Sequence, residues 1–166
     1  MKKQFLTVVC SLALLCGMVL GTADVVKAAE DSLKCVDGSY LTMERESSRS
    51  TSSELERGTH LMDGDSVISC PASGKIYAYG ATTANHKVDY VGLIVYVDRF
   101  NPQTGYWHQI ATWTVEKHDA YGVSSGKTLV VERGYYYRVR CDHFAGNDVD
   151  FPYDTSTTFT DGIWIG

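Results

Sequence analysis

The chain is short of positive charge, of long apolar runs and of paired cysteines. It has 15 Lys and Arg against 20 Asp and Glu, a formal net charge of −5. An acidic surface disfavours nucleic acid and anionic membranes as partners. One long apolar run stands at the N-terminus, so no membrane span is predicted in the rest of the chain. These absences leave an extracellular protein or a glycan as the expected partner.

Patterns typical of metal ligands are also missing. The 5 histidines show no His-x-x-x-His or related spacing, and no Cys-x-x-Cys pair occurs, so neither a metal nor a cofactor is predicted. Three cysteines follow the apolar run, Cys35, Cys70 and Cys141. Any one disulfide among them leaves a thiol over, and the sequence does not decide which pair forms, if any. The carboxylates between residues 148 and 154 fit no calcium-loop spacing, which favours solvated charge over a calcium site.

Residues 1–28 have the pattern of a secretory signal peptide. Two lysines precede an apolar run from Phe5 to Leu20, which is too short and wrongly flanked for a membrane span. Small residues follow, so cleavage is expected after Ala28, with Ala23 as the alternative. The sequence therefore predicts a secreted, extracellular protein.

The mature chain is predicted to have two parts. Residues 29–57 are polar and rich in Ser, Thr and Glu, which indicates an N-terminal arm or irregular segment. Residues 58–166 carry a β pattern throughout and are long enough for one domain with a hydrophobic core.

The clearest strand pattern runs from Gly134 to His143, where aromatic and β-branched residues alternate with arginines. Alternation places Tyr137 and Val139 on the face expected to be buried. Farther upstream, the turn sequence Asn101–Gly105 predicts a hairpin between residues 93–99 and 106–116.

A loop rich in Gly and Ser is expected over residues 119–127. Seven or eight short strands, with turns about every 8–12 residues, predict an all-β fold. We expect a single antiparallel β-sandwich, immunoglobulin-like or jelly-roll-like, with a closed barrel as the alternative.

Aromatic residues give the strongest functional indication. Exposed Tyr and Trp suit stacking on sugars or contact with proteins, although they can equally fill a core. Strand alternation and turn position predict an outer aromatic and basic face, which we take as the candidate binding site: Tyr77, Tyr79, Tyr96, Tyr106, Trp107, Tyr136, Arg138 and Arg140.

Gly122–Gly126 matches the Gly-x-Ser-x-Gly pattern of serine hydrolases, with Ser124 as the nucleophile. That motif requires a strand-to-helix turn in an α/β sheet and a suitably placed histidine. No helical pattern follows, and His143 lies in a strand pattern. The sequence therefore predicts no catalytic residues and no enzymatic activity, and a hydrolase is only a remote alternative.

Several motifs, in order along the chain, resemble a family of small secreted proteins of unknown function from clostridial-type Gram-positive gut bacteria. They are Asp37–Thr42, Arg57–Thr59, Gly74–Ile76, Gly80–Ala84, Val88–Asp89, Val95–Phe100, Trp107, Gly134–Arg140, His143 and Gly162–Ile163. The resemblance implies a secreted protein of a gut commensal and brings no catalytic residue. Separately, Tyr137-x-Val139-x-Cys141 is similar to an immunoglobulin strand near its tyrosine corner, an analogy of fold only.

The expected function is therefore that of a secreted, non-enzymatic β-sandwich that binds an extracellular protein or glycan. The alternative is a structural or cell-surface-associated module with no specific ligand of its own.

Overall fold

The computed structural model describes residues 34–50 and 58–166, so the predicted signal peptide lies outside the described residues. The described chain confirms the all-β prediction, and its strands are β1 (Cys35–Val36), β2 (Ser39–Thr42), β3 (Glu46–Ser50), β4 (Leu61–Ala72), β5 (Lys75–Asn101), β6 (Tyr106–Val130), β7 (Tyr135–Gly146), β8 (Asp154–Phe159) and β9 (Gly162–Ile165). A short 3₁₀ helix, Asp148–Asp150, joins β7 to β8. Within these residues, no helix has the length and apolar character needed to cross a membrane.

β5 and β6 form one long antiparallel hairpin that frames the fold. Pairing extends from Lys75 opposite Val130 to Asn101 opposite Tyr106. Gly105 closes the turn with a φ of 76°, a conformation that glycine adopts without steric cost. The predicted hairpin is confirmed and is longer than expected.

The expected loop over residues 119–127 is wrong, because these residues continue β6 opposite β5. The glycines of this stretch fit the strand because β5 approaches them closely. A Cβ added at Gly126 would collide with the Tyr77 hydroxyl, and one added at Gly122 would lie 2.7 Å from the Thr82 carbonyl oxygen. Glycines here therefore mark a close approach of β5 and not a loop.

All nine strands belong to one sheet of order β1-β2-β9-β7-β5-β4-β3, with β6 also beside β5 and β8 beside β7. β6 follows one edge of β5, while β4 pairs with residues 75–84 and β7 with residues 90–99 on the other edge. The sheet curls until the inner faces of β4 and β7 meet across the core. The structure is thus a single curled half-barrel and not a clear two-sheet sandwich, and β2 and β9 pair in parallel.

The difference from a sandwich arises in β5. The polar residues between Thr83 and Val88 form an irregularity in the pairing with β6, after which the strand resumes. Before it, Ala78 points into the core, and after it Leu93 and Val95 do so. Because a bulge bends a strand without ending it, one strand passes through both halves of the sheet where two strands were expected.

The core lies on the concave side of the sheet. Ile68 of β4, Leu93 of β5, Val139 of β7 and Ile163 of β9 are fully buried, and each such side chain stabilises the fold by about 1.5–3 kcal/mol. Tyr137 is also buried, and its hydroxyl donates to the Glu132 carbonyl at 2.7 Å. That bond has the form of a tyrosine corner, so β7 is anchored by a buried ring with a satisfied hydroxyl.

One histidine side chain lies within this core. His143 of β7 is fully buried, with Nδ1 2.9 Å from the Thr82 hydroxyl and Nε2 2.8 Å from the Thr158 hydroxyl. Thr82 also donates to the Gly92 carbonyl at 3.0 Å. Burial lowers the pKa of His143 from its ordinary value of 6.5 to about 4, so the neutral imidazole links β5, β7 and β8.

The predicted polar arm, residues 29–57, contributes strands instead of remaining irregular: β1, β2 and β3 lie within it. β3 is antiparallel to residues 65–69 of β4, and β2 is parallel to β9. Much of the segment is polar because β1 and β3 lie at the two margins of the sheet, where side chains meet water.

The three cysteines are unpaired and differ in accessibility: Cys35 is exposed, Cys70 is half-buried and Cys141 is buried. Burial raises the pKa of the Cys141 thiol to about 12. Because the thiolate is the reactive form, we predict that iodoacetamide at pH 8 labels Cys35 of the reduced native protein and labels Cys141 only after unfolding. Peptide mass spectrometry distinguishes the sites, and equal labelling of Cys35 and Cys141 in the native protein contradicts the structure.

Candidate functional site

The residues predicted to form one binding face lie in separate places. Tyr77 and Tyr79 stand on the convex side of β5 opposite the Gly126 end of β6. Tyr106, 66% exposed, is at the hairpin tip. The remaining residues lie on the convex side near β7, where the structure buries some of them.

Trp107 and Arg138 are covered by the β1–β2 segment. The Trp107 indole donates to the Val36 carbonyl at 3.1 Å, and the Arg138 guanidinium lies 4.5 Å from the Trp107 ring centroid. Arg138 is 7% exposed and Asp98 is 4% exposed. Their ion pair, at 3.2 Å, therefore lies inside a second, smaller core on the convex side.

Further polar contacts satisfy the Arg138 guanidinium, which donates to the Ser39 hydroxyl at 3.0 Å and to the Asp37 carbonyl at 3.2 Å. Burial lowers the pKa of Arg138, and the adjacent Asp98 opposes that shift. With Nε and Nη1 engaged and both side chains of the ion pair buried, Arg138 and Asp98 are structural and unavailable to a ligand.

Tyr96 and Arg140 remain half-buried on the same side. The Arg140 guanidinium lies 3.8 Å from the Tyr96 ring centroid and forms ion pairs with Asp98 at 3.7 Å and Asp142 at 3.6 Å. Burial is the main cause of a raised Tyr96 pKa. The cation thus already stacks on the tyrosine face that a ligand would need.

Tyr136 makes an edge contact with Trp164, with ring centroids 5.0 Å apart. Its hydroxyl lies 3.7 Å from the Met43 sulfur. Tyr136 therefore belongs to a small partly exposed apolar cluster that includes Met43 from the N-terminal segment, and it does not continue the surface around Tyr77 and Tyr79.

A shallow, open recess lies beside Tyr79. It has a volume of about 360 Å³ and is lined by Tyr79, Ala81, Thr82, Thr83, Lys117, Tyr121, Gly122, Val123 and Ser124. We call it the hairpin groove. Register pairs Ala81 with Ser124 and Thr83 with Gly122, so both arms of the hairpin supply its floor.

Small residues form the floor of the hairpin groove, and tyrosine side chains border it. Gly122 approaches the opposite strand so closely that an added Cβ would lie 2.7 Å from the Thr82 carbonyl oxygen. Tyr121 is 65% exposed. Tyr77 stacks with Tyr79 at a centroid distance of 6.4 Å and an interplanar angle of 20°, which extends the aromatic surface beyond the groove.

Chemically, the groove offers ring faces, hydroxyls and one cation. Thr83 and Ser124 supply hydroxyls that can donate or accept hydrogen bonds, and Lys117 supplies an ammonium donor. Of the residues that line the groove, sequence analysis named Tyr79 but not Tyr121 or Lys117. Tyr121 lies in the irregularity of the hairpin, where the change of register moves side chains away from simple alternation.

Ser124 lies within β6 and not on a strand-to-helix turn. Its neighbours across the pair, Ala81 and Thr83, border the groove, whereas Thr82 points inward and contacts His143. The sheet therefore separates Ser124 from the buried His143 imidazole, and these two residues do not form a nucleophile–base pair.

Two of the carboxylates between residues 148 and 154 accept hydrogen bonds from protein groups. Asp154 accepts from the His60 and Leu61 backbone amides, and Asp148 accepts from the Tyr153 hydroxyl at 2.8 Å. In the part of the chain that the structure describes, no group of three or more His, Cys, Asp or Glu side chains could hold a metal ion.

Comparison with known proteins gives a family and no activity. Residues 27–160 match the model of a family described as being of unknown function. No curated protein and no solved structure matches the chain. The candidate functional residues are therefore identified from the structure alone.

Proposed function

The chain belongs to DUF6147, a family of unknown function, and from the chemistry of its hairpin groove we propose that it is a secreted, non-enzymatic module that binds an extracellular glycan. The observation that carries this proposal is the recess of about 360 Å³ bordered by Tyr79 and Tyr121 on a floor of small residues. A volume of that size falls within the lower part of the range for ligand pockets, roughly 300–1,000 Å³.

Stacking supplies the first part of the proposed recognition. A pyranose ring has an apolar face of axial C–H groups, and a tyrosine ring offers a flat, rigid surface at low conformational-entropy cost. Tyr121 is largely exposed and Tyr79 is held by its stacking on Tyr77. Two tyrosines on a shared recess therefore suit a ring-shaped ligand with one apolar face.

Hydrogen bonding supplies the second part. Sugar hydroxyls both donate and accept, and the hydroxyls of Thr83 and Ser124 match that property. Lys117 adds a donor beside them, which favours sugars that carry acceptors or an acidic group.

The proposal that the protein is exported rests on the N-terminal sequence, where basic residues, a short apolar run and small residues follow one another. The non-enzymatic reading rests on the separation of Ser124 from His143 by the sheet. Together they favour binding outside the cell over chemistry.

We predict that Tyr121→Ala weakens glycan binding by about 5–30-fold, because loss of an aromatic contact at a binding site costs about 1–2 kcal/mol. A glycan array identifies the oligosaccharide, and calorimetry then compares the variants. Tyr106→Ala is the matched control, since Tyr106 has the same exposure at the far end of the hairpin.

Two results contradict the proposal. One is an array with no ligand at micromolar concentration, which favours the structural or cell-surface-associated module. The other is an equal effect of Tyr121→Ala and Tyr106→Ala, which shows that the ligand does not occupy the groove.

A further inference from the structure

The long strand β6 has one edge without a neighbouring strand. It pairs with β5 along one side, and within residues 34–50 and 58–166 no other strand pairs with it. The backbone N–H and C=O groups of its other side therefore face outward. Such an edge is a template for a further strand, and natural proteins usually protect long edges with lysine, proline, bulges or a covering segment.

One stretch of this edge lacks that protection. Residues 109–115 contain no charged residue, proline or glycine, and most of them are β-branched or aromatic, which favours strand pairing. None of the seven is buried. By contrast, residues 116–119 include three charged residues, and β3, at another margin of the sheet, carries Glu46 and Arg49.

The unprotected stretch leads into a regular part of the strand. Pairing with β5 keeps one register over residues 111–118, because the irregularities of the hairpin lie outside them. Alternation places Trp113 and Val115 on the concave side, where both are half-buried, and Thr112 and Thr114 on the convex side, where both are exposed. The edge therefore has one apolar side and one polar side.

Trp113 is the largest side chain of this stretch, and contacts within β6 hold it in place. Its indole donates to the Ser125 hydroxyl at 3.1 Å, and the Lys127 ammonium lies 4.7 Å from the ring centroid. Tryptophan is frequent among the side chains that contribute most of the binding energy of an interface. A fixed, half-buried Trp113 is therefore suited to anchor a partner at this edge.

We propose that a second copy of this chain pairs antiparallel with this edge about a two-fold axis at Thr114, so that one sheet continues through both copies. An axis perpendicular to the sheet keeps the two concave sides together. Trp113 then lies opposite Val115 of the second copy, and the axis repeats this contact. Aromatic and β-branched residues opposite each other stabilise antiparallel sheets.

The charges at the end of the stretch are compatible with this register. Glu116 lies opposite Thr112 of the second copy, and Lys117 lies opposite Ala111 of the second copy, so no like charges face each other. An axis at Glu116 or at Lys117 would place two like charges opposite each other, which disfavours those registers. The edge is thus complementary to itself, and for this reason a second copy is the proposed occupant.

The test is sedimentation equilibrium of the purified protein in reducing buffer, which prevents a disulfide through the exposed Cys35. We expect a reversible dimer between micromolar and millimolar concentration. Thr114→Lys places two ammonium groups opposite each other at the axis, so the dissociation constant of the dimer should rise by about tenfold or more. Thr114 is exposed, so this variant should fold, and circular dichroism checks that it does. Thr128→Lys, at an exposed threonine of β6 outside the stretch, is the control and should dimerise as the unmodified protein does.

A mixture of two variants gives an independent test. Thr114→Glu alone should also dimerise weakly, because two carboxylates then face each other at the axis. An equimolar mixture of Thr114→Lys and Thr114→Glu should form a heterodimer, because opposite charges then face each other. An unmodified protein that is monomeric at every concentration, or equal dimerisation of Thr114→Lys and Thr128→Lys, overturns the proposal.

Discussion

Replacing Asp98 with alanine is expected to destabilise the fold by about 3–5 kcal/mol, the range for removing one partner of a buried ion pair. The fold is destabilised because Arg138 stays buried between the Trp107 ring and the β1–β2 segment, with its charge uncompensated. Backbone and hydroxyl acceptors continue to bind its guanidinium, but neither carries a negative charge. Urea denaturation at pH 7, monitored by tryptophan fluorescence, measures the change in the free energy of unfolding.

Asp142→Ala is the matched control for that substitution. Asp142 pairs with Arg140 at 3.6 Å, but both side chains are a quarter or more exposed, and exposed pairs contribute about 0–1 kcal/mol. Equal destabilisation by Asp98→Ala and Asp142→Ala would show that the convex side has no buried ionic core.

The second large effect is a loss of stability in mild acid caused by His143. Its pKa is about 4 in the folded protein, and its ordinary value is 6.5. As the pH falls below 6.5, His143 is protonated in the unfolded chain but stays neutral in the folded chain. The free energy of unfolding therefore decreases until about pH 4. The loss reaches roughly 3 kcal/mol at 1.36 kcal/mol per pKa unit. Denaturation in urea at a series of pH values from 7 to 4 measures it.

His143→Gln isolates that contribution, because glutamine keeps polar atoms near the Thr82 and Thr158 hydroxyls and does not titrate in this range. The variant should be less stable at pH 7 and should show a shallower decrease toward pH 4. His108→Gln, at an exposed histidine, should keep the slope of the unmodified protein. Equal slopes for all three proteins would show that burial does not lower the pKa of His143 in the folded protein.

The β content and the long hairpin could be predicted from local sequence, because alternation and turn chemistry are properties of neighbouring residues. Residues 101–105 indicated the turn, and Tyr137 and Val139 lie in the core as expected. The curl of the sheet could not be predicted in this way. It depends on whether the polar stretch between Thr83 and Val88 ends a strand or bends it, and both outcomes fit the same composition.

The candidate site was partly predictable for a related reason. Alternation correctly separated Arg138 from the concave core, but it does not reveal what covers the convex side. The segment that covers Arg138 lies about a hundred residues earlier and looked like a polar arm. Tyr77 and Tyr79 lie on the convex side, as alternation predicted, and Tyr77 stays exposed.

The central claim, that the hairpin groove is a glycan site, is tested most directly by locating the ligand. Two-dimensional ¹⁵N–¹H NMR spectra of the protein, titrated with the oligosaccharide that an array selects, report every backbone amide that the ligand affects. We predict the largest shift changes at residues 79–83 and 121–124, which line the groove. Shift changes confined to residues 148–153, or to the cluster of Tyr136 and Trp164, would contradict the claim.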